Sequence, residues 1–341
     1  MIYLFFVFSF FLLLIGAISI RKSKFQNGFF IFSGLLLFLI AGFRSENISN
    51  DYTGYIEYYN DVINYSFSRV EPSFILIAKL VDHLFNNVVF LFVIYALLGV
   101  YFKYLSISIL SQYRLHSVLI YFCVFFLTLE MTQIRAGVAA GLLLLCIKPI
   151  KEKKVVPFLC FSLLAVFFHF SALIILLLYF LNGEKINKKF YFLLVPAGYF
   201  IYFFNVNLFF FIDYIPINLI QAKFESYSTY DNEINLFNII YLSRIIVGYY
   251  ILRKIELIHI RNSYAIVLIK IYFISLFLFS AFASIPGIGS RVSELLLIVE
   301  IVLIPCILYT FRNKFLGNIL ILFIGFAHLC FSVFYTKLLL Y

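Results

Sequence analysis

About eleven apolar stretches follow one another along the chain, at residues 2–20, 28–43, 88–110, 116–131, 134–148, 155–181, 190–211, 237–252, 264–285, 292–311 and 315–336, with short polar junctions between them. Roughly 20 apolar residues in a helix match the hydrocarbon thickness of a bilayer, and only a helix or a closed barrel satisfies its backbone there. With 64% of 341 residues hydrophobic and 12% charged, little is left for a separate soluble domain. The sequence therefore predicts an all-α, polytopic integral membrane bundle of about 10–12 transmembrane helices, a single unit over residues 1–341 whose immediate partner is the lipid bilayer. A soluble enzyme, a single-anchor receptor and a nucleic-acid-binding module are excluded.

The net charge of +10 is first a topology signal, because basic residues gather on the cytoplasmic side of membrane proteins. Six clusters hold seventeen of the 26 basic residues: Arg21, Lys22 and Lys24; Lys103 and Arg114; Lys148, Lys151, Lys153 and Lys154; Lys185, Lys188 and Lys189; Arg253, Lys254 and Arg261; Arg312 and Lys314. All six fall on one side if residues 116–148 form two short helices and 155–181 form another pair turning near His169. The first run, Met1–Ile20, reads as a span rather than a cleaved signal, since its positive cluster follows it. Nine basic residues remain on the other side, Arg44, Arg69, Lys79, Arg135, Lys223, Arg244, Lys270, Arg291 and Lys337. Charges so placed need a local reason to exist.

Two outward loops are expected, at residues 44–72 and 213–235, both acidic and rich in tyrosine. Tyrosine rings stack on sugar faces and carboxylates accept bonds from hydroxyls, so the mixture suits carbohydrate; an interfacial aromatic belt is the alternative. Between Pro72 and Phe85 the apolar residues fall on one helical face, which predicts an amphipathic helix at the outer surface. The five cysteines lie inside apolar runs, without metal or redox spacing, and read as small core residues.

Four constellations could carry chemistry. Arg44 is followed by Asp51, Tyr52 and Tyr55 and then by Glu71-Pro72; Glu71 could act as an acid or base, or merely cap the helix that Pro72 opens. Gln133-Ile134-Arg135 precedes a small-residue run with Gly137 and Gly141 four apart, which turns Arg135 into the bundle. There it could hold a phosphate oxygen or pair with Glu130. His169 stands alone in an apolar run, as a proton carrier or as a satisfied hydrogen-bonding group. Arg291 and Glu294 follow Pro286, Gly287 and Gly289, and lie one turn apart, so a plain ion pair competes with a binding role. No Walker loop, GxGxxG, HExxH or DxD-type signature is present, and neither a metal nor a cofactor is expected.

In this order, Gly42-Phe43-Arg44, Asp51-Tyr52 with Tyr55, Glu71-Pro72, Gln133-Ile134-Arg135, His169-Phe170-Ser171-Ala172-Leu173 and Arg291, the chain resembles the EpsG-like branch of the Wzy-class polysaccharide polymerases from about residue 40 to 305. The resemblance implies a GT-C-like, metal-independent glycosyltransferase of the bacterial cytoplasmic membrane. Such an enzyme joins repeat units carried on undecaprenyl pyrophosphate, at the outer face, into O-antigen, capsule or exopolysaccharide. Donor and acceptor would both be undecaprenyl-pyrophosphate-linked glycans, and a chain-length regulator could be a further partner. On that reading Arg135, Arg291 and Arg44 hold the pyrophosphate. Asp51, Glu71 or His169 supplies the base, and Tyr52, Tyr55, Gln133 and Glu294 contact the glycan. A flippase of lipid-linked glycans is one rival, although no second copy of the 44–72 loop is seen where transporters usually carry repeats. A membrane O-acyltransferase using His169 is another.

Overall fold

The computed structural model describes residues 23–46, 49, 51–65, 70–206 and 234–336, together with positions 7, 9–12 and 14–16. Most of the expected first span and nearly all of the 213–235 loop lie outside the described residues. The helices are α1 (Ser23–Gly42), α2 (Asp51–Tyr65), α3 (Pro72–Phe85), α4 (Val89–Leu110), α5 (Arg114–Thr132), α6 (Ile134–Glu152), α7 (Val155–Phe168), α8 (Ile174–Leu178), α9 (Lys188–Phe203), α10 (Ile239–Arg261), α11 (Ala265–Ala281), α12 (Pro286–Leu297) and α13 (Lys314–Cys330). No strand occurs among the described residues.

Among the described residues, five helices are long and apolar enough to cross a bilayer by themselves, namely Phe25–Gly42, Val89–Leu110, Arg114–Thr132, Gly289–Thr310 and Lys314–Tyr335, and Val155–Phe168 and Ala265–Ala281 are shorter apolar helices. The protein is a polytopic helical membrane protein. Of the 10–12 spans expected of the whole chain, most of the first and the end of the 190–211 run lie outside the described residues, and others fall short of that standard for local reasons. The 155–181 run is broken at His169, whose backbone is extended, and α6 and α10 carry charges in their last turns. The outer surface is apolar, as lipid contact requires: Phe315, Ile319, Phe323 and Phe326 on the last helix and Val156, Leu159 and Leu163 on α7 are exposed. Of the cysteines, Cys123, Cys146 and Cys306 are buried and Cys160 is exposed on α7; all five are free.

Polar contacts tie the basic junctions together at one end of the bundle. Arg114 donates to Asn27 Oδ1 (3.3 Å), Gln112 to the Arg261 carbonyl (3.1 Å) and Asn262 to the Leu110 carbonyl (2.9 Å), while Tyr309 donates to Gln112 (2.8 Å). Lys153 donates to the carbonyls of Tyr179 and Leu181, at 2.8 and 2.7 Å. The chain after His169 thus returns to where α7 began, so residues 155–181 form a hairpin rather than one long tilted helix. The other expected pair is also formed, by α5 and α6 with a sharp turn at Gln133.

Two placements differ from expectation. Lys103 does not belong to a basic junction: α4 runs on to Leu110, and Lys103 is fully buried inside the bundle, ion-paired with Glu130. Lys270 lies at the basic end rather than the opposite one, because its ammonium donates to the carbonyls of Asn182 and Lys185 (both 2.6 Å) in the junction between α8 and α9.

From Tyr121 to Thr132, α5 is a π-helix, closed by a bond from the Gln133 N–H to the Thr128 carbonyl (2.7 Å). Such wide turns recur at functional sites. Here the widening ends where α6 begins. A Cβ on Gly137 would stand 2.6 Å from the Leu129 carbonyl oxygen, and one on Gly141 would stand 2.8 Å from Phe102. Both glycines are therefore the close-approach points that their spacing suggested.

Candidate active site

The residues singled out from sequence converge at the end opposite the basic junctions, all but Arg291 at the end of a helix or at a break. Arg44 follows α1, Asp51 opens α2, Glu71 precedes α3, Gln133 and Arg135 open α6, His169 turns the α7–α8 hairpin and Arg291 lies in α12. Helix ends are where a bundle can present backbone-anchored polar groups without leaving helical carbonyls unpaired.

At the centre, Glu71 bridges two partners distant in sequence. One carboxylate oxygen is ion-paired with Arg135 Nη1, and the other lies 2.9 Å from His169 Nδ1. Pro72 stands at the first turn of α3, as expected, but the Glu71 side chain makes no cap bond to that helix. Glu71 is the N-cap residue through its backbone, whose carbonyl accepts from Phe74, while its carboxylate is engaged elsewhere. Burial pushes the Glu71 carboxyl up, but the His169 bond and the Arg135 charge outweigh it and hold the group at about 2. Glu71 is thus ionised throughout the neutral range and is a poor proton acceptor. The alternative pairing of Arg135 with Glu130 fails, because the Glu130 carboxylate faces Lys103.

Around Arg135 stand the rings of Tyr55 and Tyr58, both 5.6 Å from its guanidinium carbon, and Phe74 at 5.8 Å. Arg44 is held similarly. Its guanidinium lies 4.3 Å from the Phe92 ring and 5.8 Å from Tyr52, and Nη1 donates to the Glu130 carbonyl at 2.7 Å. Tyr52 stacks on Phe92 at 4.5 Å and Tyr55 on Phe74 at 6.1 Å. A guanidinium over an aromatic face keeps its in-plane N–H groups for other acceptors. Arg44 Nε and Nη2 and Arg135 Nε are buried and have no hydrogen-bond partner among the described residues.

A match to the EpsG family model covers residues 27–340. The chain belongs to the EpsG family. That membership makes it a multi-pass membrane protein of polysaccharide-polymerase type. Comparison with curated proteins finds no match, and comparison with solved structures finds none.

Asp51 differs from Glu71. It is exposed at the first position of α2, in the combined field of Arg291, Arg135 and Arg44. The protein packed around it pushes its carboxyl above the usual aspartate range, and the three guanidiniums only partly reverse this. Gln133 Nε2 is 3.5 Å from Glu294 Oε2, which joins α6 to α12 beside Arg291. Tyr52 and Tyr55 are 3% and 5% exposed, with their rings spent on Phe92, Phe74 and the arginines. Open aromatic surface on α2 belongs instead to Tyr58 and Tyr65.

Sequence reasoning missed two buried ion pairs that brace this end. Lys103 pairs with Glu130 and donates to the Gly137 carbonyl at 2.6 Å, joining α4, α5 and α6 just behind Arg44 and Arg135. Arg244 of α10 holds Glu300 with two bonds, at 3.0 and 3.2 Å, and its carbonyl accepts from Tyr272 at 2.8 Å. The signal was available, since Lys103, Glu130 and Glu300 are ionisable residues inside apolar runs. No group of three or more His, Cys, Asp or Glu side chains that could hold a metal occurs among the described residues.

Proposed function

We propose that the protein is a membrane glycosyltransferase that polymerises oligosaccharide repeat units carried on a polyprenyl pyrophosphate, undecaprenyl pyrophosphate in bacteria, at the outer face of the cytoplasmic membrane. The observation that carries this reading is the set of buried N–H donors on Arg44 and Arg135 that have no partner among the described residues, next to an arginine-surrounded Asp51. Several guanidiniums converging on one half-buried place fit an anion with many oxygens, and a pyrophosphate leaving group is such an anion. Facing away from the basic junctions, the site would open on the outer leaflet.

In the proposed reaction Asp51 removes the proton from an acceptor sugar hydroxyl as its oxygen attacks the anomeric carbon of the donor. The bond from that carbon to the pyrophosphate oxygen breaks, and its electron pair leaves with the lipid pyrophosphate. Arg135, Arg291 and Arg44 stabilise the charge that develops there. Glu71 and His169 are positioning residues: they fix the rotation of Arg135 rather than exchange protons with substrate. Gln133 and Glu294, joined to each other, and the exposed ring of Tyr58 beside Arg135 are the groups proposed to contact the glycan, whereas Tyr52 and Tyr55 hold the arginines.

Replacing Arg135 or Arg291 by Lys keeps the charge and removes the forked donor geometry. Losing one charge-assisted contact to the leaving group should slow polymerisation roughly 30- to 1000-fold. Polymer length at matched membrane protein levels measures it. Wild-type polymer from both variants would overturn the pyrophosphate assignment.

A further inference from the structure

At the basic end, the lower halves of α9 and α10 enclose a groove of about 600 Å³ lined by Lys188, Lys189, Phe192, Leu193, Tyr249, Leu252 and Arg253. It lies far from Glu71 and Arg135, and the polymerase reading leaves it unused. The two helices run antiparallel, with Lys188 paired to Glu256 at 2.6 Å and Tyr249 donating to the Phe192 carbonyl at 2.9 Å. Lys188, Lys189 and Arg253 therefore lie at the mouth, and Phe192, Leu193 and Tyr249 stand about one helical turn, roughly 5 Å, deeper toward the membrane centre. Phe192 and Leu193 are exposed, and the Phe192 and Tyr249 rings lie 4.7 Å apart to form one wall. Glu256 offsets Lys188 alone: Lys189 and Arg253 have no acidic partner among the described residues.

We infer that this groove binds one anionic phospholipid of the leaflet at the basic end, with its phosphate between Lys189 and Arg253 and an acyl chain along Phe192, Leu193 and Leu252. The order of the lining decides the class of ligand. Cations at the membrane edge above an apolar wall match a molecule with a phosphate at one end and a hydrocarbon chain at the other. A free phosphate would use only the mouth, and a zwitterionic lipid would bring its own cation against the lysines. Because α9 and α10 both pack on α11, which packs on α12, a lipid seated here would brace the half of the bundle that carries Arg291. The inference does not rest on the polymerase reading, since its readout is lipid retention.

The test uses the full chain in detergent, with phosphatidylglycerol or phosphatidylcholine of the same acyl chains added and retained lipid counted by native mass spectrometry. Wild type should retain phosphatidylglycerol preferentially, and the double variant Lys189→Gln, Arg253→Gln should lose about thirtyfold of that preference. In parallel, a phosphatidylglycerol with a photoreactive acyl chain should cross-link wild type within α9 or α10, which needs no variant to fold. Equal retention of both lipids by wild type, full displacement by millimolar inorganic phosphate, or cross-links only elsewhere would each overturn the assignment.

Discussion

At the scale of single residues, two carboxylates at either end of the α2 segment, Asp51 and Glu71, take opposite roles. Glu71, held at about 2, gives its stabilising interaction above its unfolded value near 4.5 and loses it as pH falls through the folded value. Melting temperature in detergent should therefore fall between about pH 4.5 and pH 2 in wild type. Glu71→Gln should show a lower plateau and little of that fall, because no carboxylate remains to be protonated. Asp51 is shifted the other way. As the proposed base it must be ionised, so polymerisation should rise with pH along an acid limb displaced above the ordinary aspartate value near 4. Asp51→Asn should remove both the limb and most of the rate in reconstituted assays over pH 4 to 8. A limb unchanged in that variant would transfer the role to His169.

At the scale of elements, the contact among α4, α5 and α6 rests on glycines and on one buried charge pair. Lys103→Met leaves Glu130 buried without its cation and should cost about 3–5 kcal/mol, read as loss of folded protein from the membrane. Adding Glu130→Gln should recover most of the yield, since two neutral groups can occupy that space without an unpaired charge. If the double variant is no better than the single one, the pair is not what the fold depends on. Gly137→Ala should also destabilise, by about 1–3 kcal/mol, because its new methyl meets a backbone carbonyl that cannot swing away. Gly28→Ala is the control, with nothing within 4 Å of the added carbon. Thermal unfolding of the two side by side separates close approach from helix propensity.

At the scale of the whole molecule, the basic junctions and the arginine site lie at opposite ends, so the proposed topology can be tested by labelling. Ser49 is 2% exposed and would report poorly, whereas Glu57 on α2 and Lys154 before α7 are exposed. With Cys160, exposed on α7, replaced by Ser, a cysteine at position 57 should react with an impermeant thiol reagent in intact cells. One at position 154 should react only after permeabilisation. The reverse pattern would put the arginine site on the cytoplasmic face and remove the outer-face reading.

From sequence alone, the class, the helical runs from α3 to α7 and the separation of the two ends could be read, whereas one helix or a hairpin over 155–181 stayed open until the break at His169 decided it. Local hydropathy and charge determine those properties segment by segment. The same reading found Arg44, Asp51, Glu71, Arg135, His169 and Arg291, because a charge or lone histidine beside apolar runs is conspicuous wherever it ends up. Only the tertiary structure decided partners. Glu71 meets Arg135 and His169 across 64 and 98 residues, Glu130 takes Lys103 rather than Arg135, and Tyr52 and Tyr55 turn inward. The physical reason is that these choices depend on the rotation and depth of each helix. In a bundle whose lipid-facing and core-facing positions are both apolar, the hydrophobic pattern does not encode that rotation; packing at Gly137 and Gly141 and the desolvation cost of each buried charge set it instead.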